Sequence, residues 1–154
     1  MYVDFVIPGP PQGKARPRVV RMKNGASVSY TPDKTVAYEE LVRQVYRSKN
    51  SFVFENDVPI QVSISALFPI PKSASRKKRD DMLSGRILPT KKPDCDNIAK
   101  IICDALNGIA YHDDSQIVRC VVDKRFDSGT GHVRVCMMEV DCGESENTGG
   151  IPGE

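Results

Sequence analysis

Between Asp94 and Gly108 the chain has little choice of conformation. Ile98, Ile101, Ile102, Ala105 and Leu106 return at the i, i+3, i+4, i+7, i+8 spacing of a helix with one buried stripe, and Gly108 stands where the end of such a helix is capped. Successive residues turn by about 100°, so Asp96, Lys100, Asp104 and Asn107 fall on the opposite stripe. One face is built to be buried, and the other presents carboxylate, amine and carboxylate in a row. Ahead of the helix, Asp94 and Asp96 flank Cys95 just after Pro93, where an extended chain would point both acids the same way. Behind it, Asp113 and Asp114 precede an apolar alternating run that reads as a strand.

Acids this close in sequence repel one another unless water or a cation neutralises them, and hard divalent cations such as Mg²⁺ take carboxylate oxygens and water. Asp94, Asp96 and Asp114 are therefore candidate metal ligands, for one or two ions that polarise a phosphodiester and activate a water. Lys100, one turn beyond Asp96, faces the same spot and is placed to stabilise charge on a phosphate in the transition state. Plainer roles compete. An aspartate before a helix is commonly its N-cap, worth about 1 kcal/mol, and an Asp-Asp pair before a strand is commonly a solvated turn. Capping needs one aspartate, whereas this stretch supplies three and a lysine.

The pattern K-P-D-C-D-N-I-x-K-x-x-x-D-A-L-N-G from Lys92 to Gly108, followed by D-D-S-Q-I from Asp113 to Ile117, resembles the signature of the RusA family of Holliday-junction resolvases. The resemblance implies a small, homodimeric crossover junction endodeoxyribonuclease, often carried by phages and prophages. Such an enzyme depends on Mg²⁺, with Mn²⁺ as an alternative, and resolves four-way and other branched DNA by paired symmetric nicks. Carried over position by position, it places the first catalytic acids on Asp94 and Asp96, the catalytic lysine on Lys100 and the third essential acid on Asp114. Asp113 matches an acidic position and becomes a candidate auxiliary metal ligand. Asp104 matches too, and pairing with Lys100 at i+4 is its expected role.

Upstream, Tyr2 to Ile7 alternates as a strand with Val3, Phe5 and Ile7 on one face. Residues 9–25, rich in proline and glycine, carry Lys14, Arg16, Arg18, Arg21 and Lys23 with no acid among them. A phosphate-cradling P-loop is excluded, because the glycines are too close together and no Ser or Thr follows the lysine. A basic loop along a DNA backbone fits better, against the alternative of a merely solvated hairpin. An opening strand followed by P-G-P-P and an R-P-R loop also resembles the same family.

Thr31-Pro32 is expected to open a helix running to about Lys49, with Tyr38, Leu41, Val42 and Val45 inward. Val58 to Phe68 alternates as a long strand with one side wet or facing a dimer partner. Ser73 or Ser75 would cap a short helix bearing Arg76, Lys77, Lys78 and Arg79. With Lys91 and Lys92 these cations would form a positive rim around the acids, unless they are only a solvated face. Gln116–Phe126 and His132–Val140 are expected as two strands joined in a hairpin through D-S-G-T-G.

The sum is an α+β fold, a mixed sheet of about four strands with packed helices, in one domain over residues 1–142. A polar, glycine-rich stretch, 143–154, is expected as a disordered tail. A chain of 154 residues that is 40% hydrophobic can bury one core, while its net charge of +2 does not by itself announce a nucleic-acid partner. Five cysteines without a C-x-x-C pair, and only two histidines, exclude a zinc cluster and point to reduced thiols. Cys95 is expected to pack away from the acids, and His112 to support the acidic pair or lie solvated. With no apolar run of about 18 residues and no leader, the expectation is a soluble, cytoplasmic protein without membrane contact. Two other functions fit some of these features: a non-catalytic branched-DNA-binding or assembly module, and a metal-dependent nucleotide phosphohydrolase. Mg²⁺-dependent nicking of a four-way junction separates the first, and hydrolysis of nucleoside triphosphates the second.

Overall fold

Alternation decides which face of the sheet is buried. In β1 (Tyr2–Pro8) the odd-numbered Val3, Phe5 and Ile7 are buried; in β6 (His132–Glu139) Val133, Val135 and Met137 are; and in β4 (Ile60–Pro69) Ile60, Val62, Ile64 and Ala66 are. Each fully buried side chain of this size contributes about 1.5–3 kcal/mol. The register aligns them: Phe5 lies opposite Val135, and Ile64 opposite Val135 from the other side. This computed structural model describes residues 1–141 and Gly143, so the tail expected over 143–154 otherwise lies outside the described residues.

The sheet runs β1-β6-β4-β5, with β5 (Ile117–Asp127) parallel to β4 and the other pairs antiparallel, a mixed sheet as expected. The expected hairpin between the last two strands is not there. β4 lies between β5 and β6, and the four residues 128–131 pass across its end. Gly131 makes that passage possible. Its φ is +86°, and a Cβ would stand 2.8 Å from the Leu67 carbonyl oxygen and 3.0 Å from Pro69 Cδ. Gly131→Ala should therefore destabilise the protein by about 2–4 kcal/mol, from left-handed strain plus a clash with backbone, measured as a lower urea midpoint.

Two helices cover the buried face. α1 (Asp33–Lys49) turns Tyr38, Val42 and Tyr46 inward, and Tyr46 meets Phe5 edge-on at 5.5 Å between ring centres. Pro32, not Thr31, stands at its N-cap position, and no side chain caps it. α3 (Cys95–Leu106) buries the whole predicted stripe, Ile98, Ile101, Ile102, Ala105 and Leu106, and packs on α1 and β5. Gly108 follows with φ +74°, the left-handed stop its position requires. The short α2 (Arg76–Leu83) buries nothing of its own and is capped by Ser75, whose Oγ accepts from the Lys78 N–H at 3.3 Å.

The basic stretch is more ordered than a loop. Arg18–Arg21 (β2) and Ser27–Tyr30 (β3) pair as an antiparallel ribbon, separate from the main sheet and exposed along its length. Alternating Val19, Val20 and Val28 among the charges supply the strand propensity. Among the described residues, no helix is long and apolar enough to cross a membrane.

Candidate active site

The helix that packs the core also aims the acids. Because Ile98, Ile101 and Ile102 must face the sheet, Asp96, Lys100, Cys103 and Asp104 are turned to the other side of α3. There they line a cavity of about 420 Å³, which Asp114, in the turn just ahead of β5, closes together with Ile117 and Cys120. The polar seam read from the helical spacing is thus one wall, and of the second acidic pair only Asp114 stands opposite it.

Asp94 does not share that cavity. The helix begins at Cys95, so Asp94 and Asp96 are separated by helical rotation and do not point the same way as they would on an extended strand. Asp94 occupies the N-cap position but its side chain makes no capping hydrogen bond. It faces a groove of about 940 Å³ whose lining includes Gln12, Gly13, Lys14, Arg16, Lys34 and Lys92. The first turn of α3 divides groove from cavity. Cys95 is exposed, not packed, with its Sγ 4.0 Å from the Val122 carbonyl oxygen.

Asp114 is placed by a side chain that the motif reading passed over. Gln116 is buried, and its amide satisfies four backbone groups: Oε1 accepts from the N–H of His112 at 3.0 Å and of Asp113 at 3.1 Å, while Nε2 donates to Glu55 O at 2.8 Å and Val58 O at 3.1 Å. Asp113 accepts from the Ser115 N–H at 3.0 Å, completing a capping box around the 3-10 turn Asp114–Gln116. The D-x-x-Q spacing was the available signal. Gln116→Leu leaves those four groups without partners and should cost roughly 3 kcal/mol, read from denaturant unfolding.

The two neighbouring aspartates are driven apart electrostatically. The Ser115 backbone bond and the bond from Asp114 hold Asp113 below the usual carboxylate range. Asp114 is pushed above it by its bond to Asp113, by burial, and by the charges of Asp113 and Asp104. Asp113 is therefore spent on capping, and Asp114 is the acid whose ionisation its neighbours disfavour. Across from it, the neighbouring Cys103 thiol lowers Cys120 to about 7.

Lys100 is exposed and has no ion-pair partner among the described residues. The expected i+4 pair with Asp104 is absent because Asp104 Oδ2 instead meets Lys14 Nζ at 3.3 Å. Lys14 pairs with Glu39 as well, so its ammonium is held between α1 and α3 even though the residue lines the groove. Arg16 and Lys92 also line that groove, joined by Lys34, a cation that sequence reasoning missed. Arg18 and Arg21 lie on the exposed ribbon, Lys91 is exposed beside Lys92, and Arg76, Lys77 and Lys78 lie on exposed α2, lining neither groove nor cavity. The His112 side chain is exposed and takes part in neither.

Carboxylate oxygens are the donors a hard cation takes, and an acid raised by its neighbours' charge is one a cation would relieve. No three His, Cys, Asp or Glu side chains among the described residues converge closely enough to cage an ion unaided. The set fits an ion of the Mg²⁺ kind, held by one or two carboxylates with water and substrate oxygens completing its shell.

Comparison with known proteins shows the family. Residues 8–138 match the family described as Endodeoxyribonuclease RusA. An uncharacterised Bacillus subtilis (strain 168) protein, YqaN, is 34% identical over 142 residues, covering 91% of this chain and 94% of the relative. The match runs from the end of β1 through both basic segments and both acidic pairs into β6, and the chain belongs to the RusA family of endodeoxyribonucleases.

Proposed function

We propose that the protein resolves four-way and other branched DNA by paired symmetric nicks, using Mg²⁺, with Mn²⁺ as a substitute, at the acid cavity. The observation that carries this is the meeting of Asp96, Lys100 and Asp114, from two separate elements, in one cavity beside a groove bearing Arg16, Lys34 and Lys92. A cation there supplies charge for the phosphodiester oxygens and acidifies an attacking water. Asp96 and Asp114 hold it, and Asp94 is the third acid of the set, standing on the groove side of the same helical turn. Lys100, unpaired and exposed, stabilises the charge that builds on the phosphate. Arg16, Lys34 and Lys92 hold the backbone along the groove, with the ribbon arginines and α2 as outlying contacts.

A four-way junction is two-fold symmetric, and a symmetric homodimer presents two equivalent sites to it. The face of the sheet that bears no helix offers a surface for such pairing. It mixes Tyr2, Met138 and Val121 with an Asp4–Arg134 ion pair at 2.5 Å.

The test is a synthetic four-way junction with Mg²⁺ at catalytic enzyme concentration, alongside nucleoside triphosphates. Symmetric nicks with no triphosphate hydrolysis are expected. Binding without nicking in either metal would leave a DNA-binding module.

A further inference from the structure

Lys14 is the cation of the basic stretch that turns inward. Its ammonium pairs with Glu39 on α1 and lies 3.3 Å from Asp104 on α3, and its side chain is 19% exposed, whereas Arg16, Arg18, Arg21 and Lys23 are exposed. Its backbone is tied to the same helix: the Lys14 N–H donates to the Asn97 carbonyl at 2.9 Å. Gly13 lies so close to α3 that a Cβ there would stand 2.9 Å from Pro93 Cβ and 3.1 Å from Asn97 Cβ. Arg43 closes the network, meeting Glu39 at 3.4 Å and donating to the Ala105 carbonyl at 3.0 Å. A surface phosphate contact would need none of this.

The charge arithmetic around α3 shows what the network does. Asp104 sits at i+4 from Lys100 on the seam that lines the cavity, the spacing at which opposite charges on a helix pair. Left alone, Asp104 would either capture Lys100 or stand as a third uncompensated carboxylate beside Asp96 and Asp114. We propose that Lys14 is a positioning residue: by holding Asp104 it keeps Lys100 free to face the phosphate, and it sets how much negative charge the cavity offers a cation. The proposal rests on the nuclease reading and deepens it. It also explains how the basic loop keeps its place relative to the acids, since the loop is fastened to their own helix.

The test compares Lys14→Met/Glu39→Gln, in which the buried Glu39 charge is removed so that folding survives, with the same pair carrying Asp104→Asn, and with Lys14→Arg. Mn²⁺ binding to the free protein is followed by electron paramagnetic resonance, and junction binding is measured over a salt series. Freeing Asp104 should tighten Mn²⁺ binding by about 5-fold. Single-turnover nicking should fall by about tenfold, with junction affinity within about 2-fold and the salt dependence unchanged. Asp104→Asn in that background should return Mn²⁺ affinity to the wild-type value and recover most of the nicking, and Lys14→Arg should retain most of it. A uniformly weaker junction complex with a salt slope reduced by about 1 would make Lys14 an ordinary phosphate contact and overturn the proposal. Mn²⁺ affinity indifferent to Lys14, or no rescue by Asp104→Asn, would overturn it equally. A wild-type protein that nicks no branched DNA would defeat the nuclease reading instead, while the Mn²⁺ titration and its rescue would still decide the role of Lys14.

Discussion

Asp96→Asn is expected to bind a four-way junction at least as tightly as the wild type and to nick it about 10³-fold more slowly. Asp96 stands in the first turn of α3 and lines the acid cavity. Among the described residues it makes no side-chain hydrogen bond and no ion pair, so the fold does not depend on its charge. Losing a negative charge at a helix N-terminus costs about 0.3–1 kcal/mol, small beside the effect on chemistry. Asparagine keeps the shape and one oxygen but weakens the hold on a cation. It also removes an anion from the neighbourhood of the DNA phosphates, which favours the complex. Binding by electrophoretic shift and nicking by gel, with a thermal melt as control, separate these terms. Turnover at the wild-type rate would remove Asp96 from the metal set.

Where one residue type can satisfy only one physical demand, its place was legible in the sequence. The five apolar residues of α3 could be buried only as one helical stripe, and burying them left Asp96, Lys100 and Asp104 on a common wall. Pairing between strands was not legible. A short glycine-containing link between two alternating runs reads as a hairpin, because loop chemistry says where the chain turns and not which strand it lands beside. Here β4 takes the place between, and only the positive φ of Gly131 and its approach to the Leu67 carbonyl show why the link could cross. Charge was equally ambiguous. Lys14 and Arg16 are two residues apart in one basic run and both line the groove, yet Lys14 pairs with Glu39 and Asp104 while Arg16 has no ion pair among the described residues. Composition counts cations but does not say which of them meets a carboxylate from another helix. The expectation that Asp94 and Asp96 point the same way failed for a simpler reason: starting the helix at Cys95 replaces the two-residue period of a strand with the rotation of a helix.

Lys100→Ala is expected to leave junction affinity within about 2-fold of wild type and to reduce nicking by about 10²–10³-fold. The lysine is exposed, on the cavity wall, and unpaired among the described residues, while the acid that would ordinarily neutralise it at i+4 is held by Lys14. An exposed helical lysine in the open groove would instead act as a phosphate anchor, and its loss would weaken binding to every DNA alike and lower the salt slope by about 1. The two roles therefore diverge in what the variant loses. Alanine is the best helix former, so α3 keeps its stripe and its hold on Asp96. Arginine at the same position keeps the charge but spreads it over a planar fork, and Lys100→Arg should recover only part of the rate. A Lys100→Ala protein that nicks normally would remove the lysine from the mechanism, and one that loses binding in step with cleavage would place it among the backbone contacts; either would leave the transition state to the cation alone.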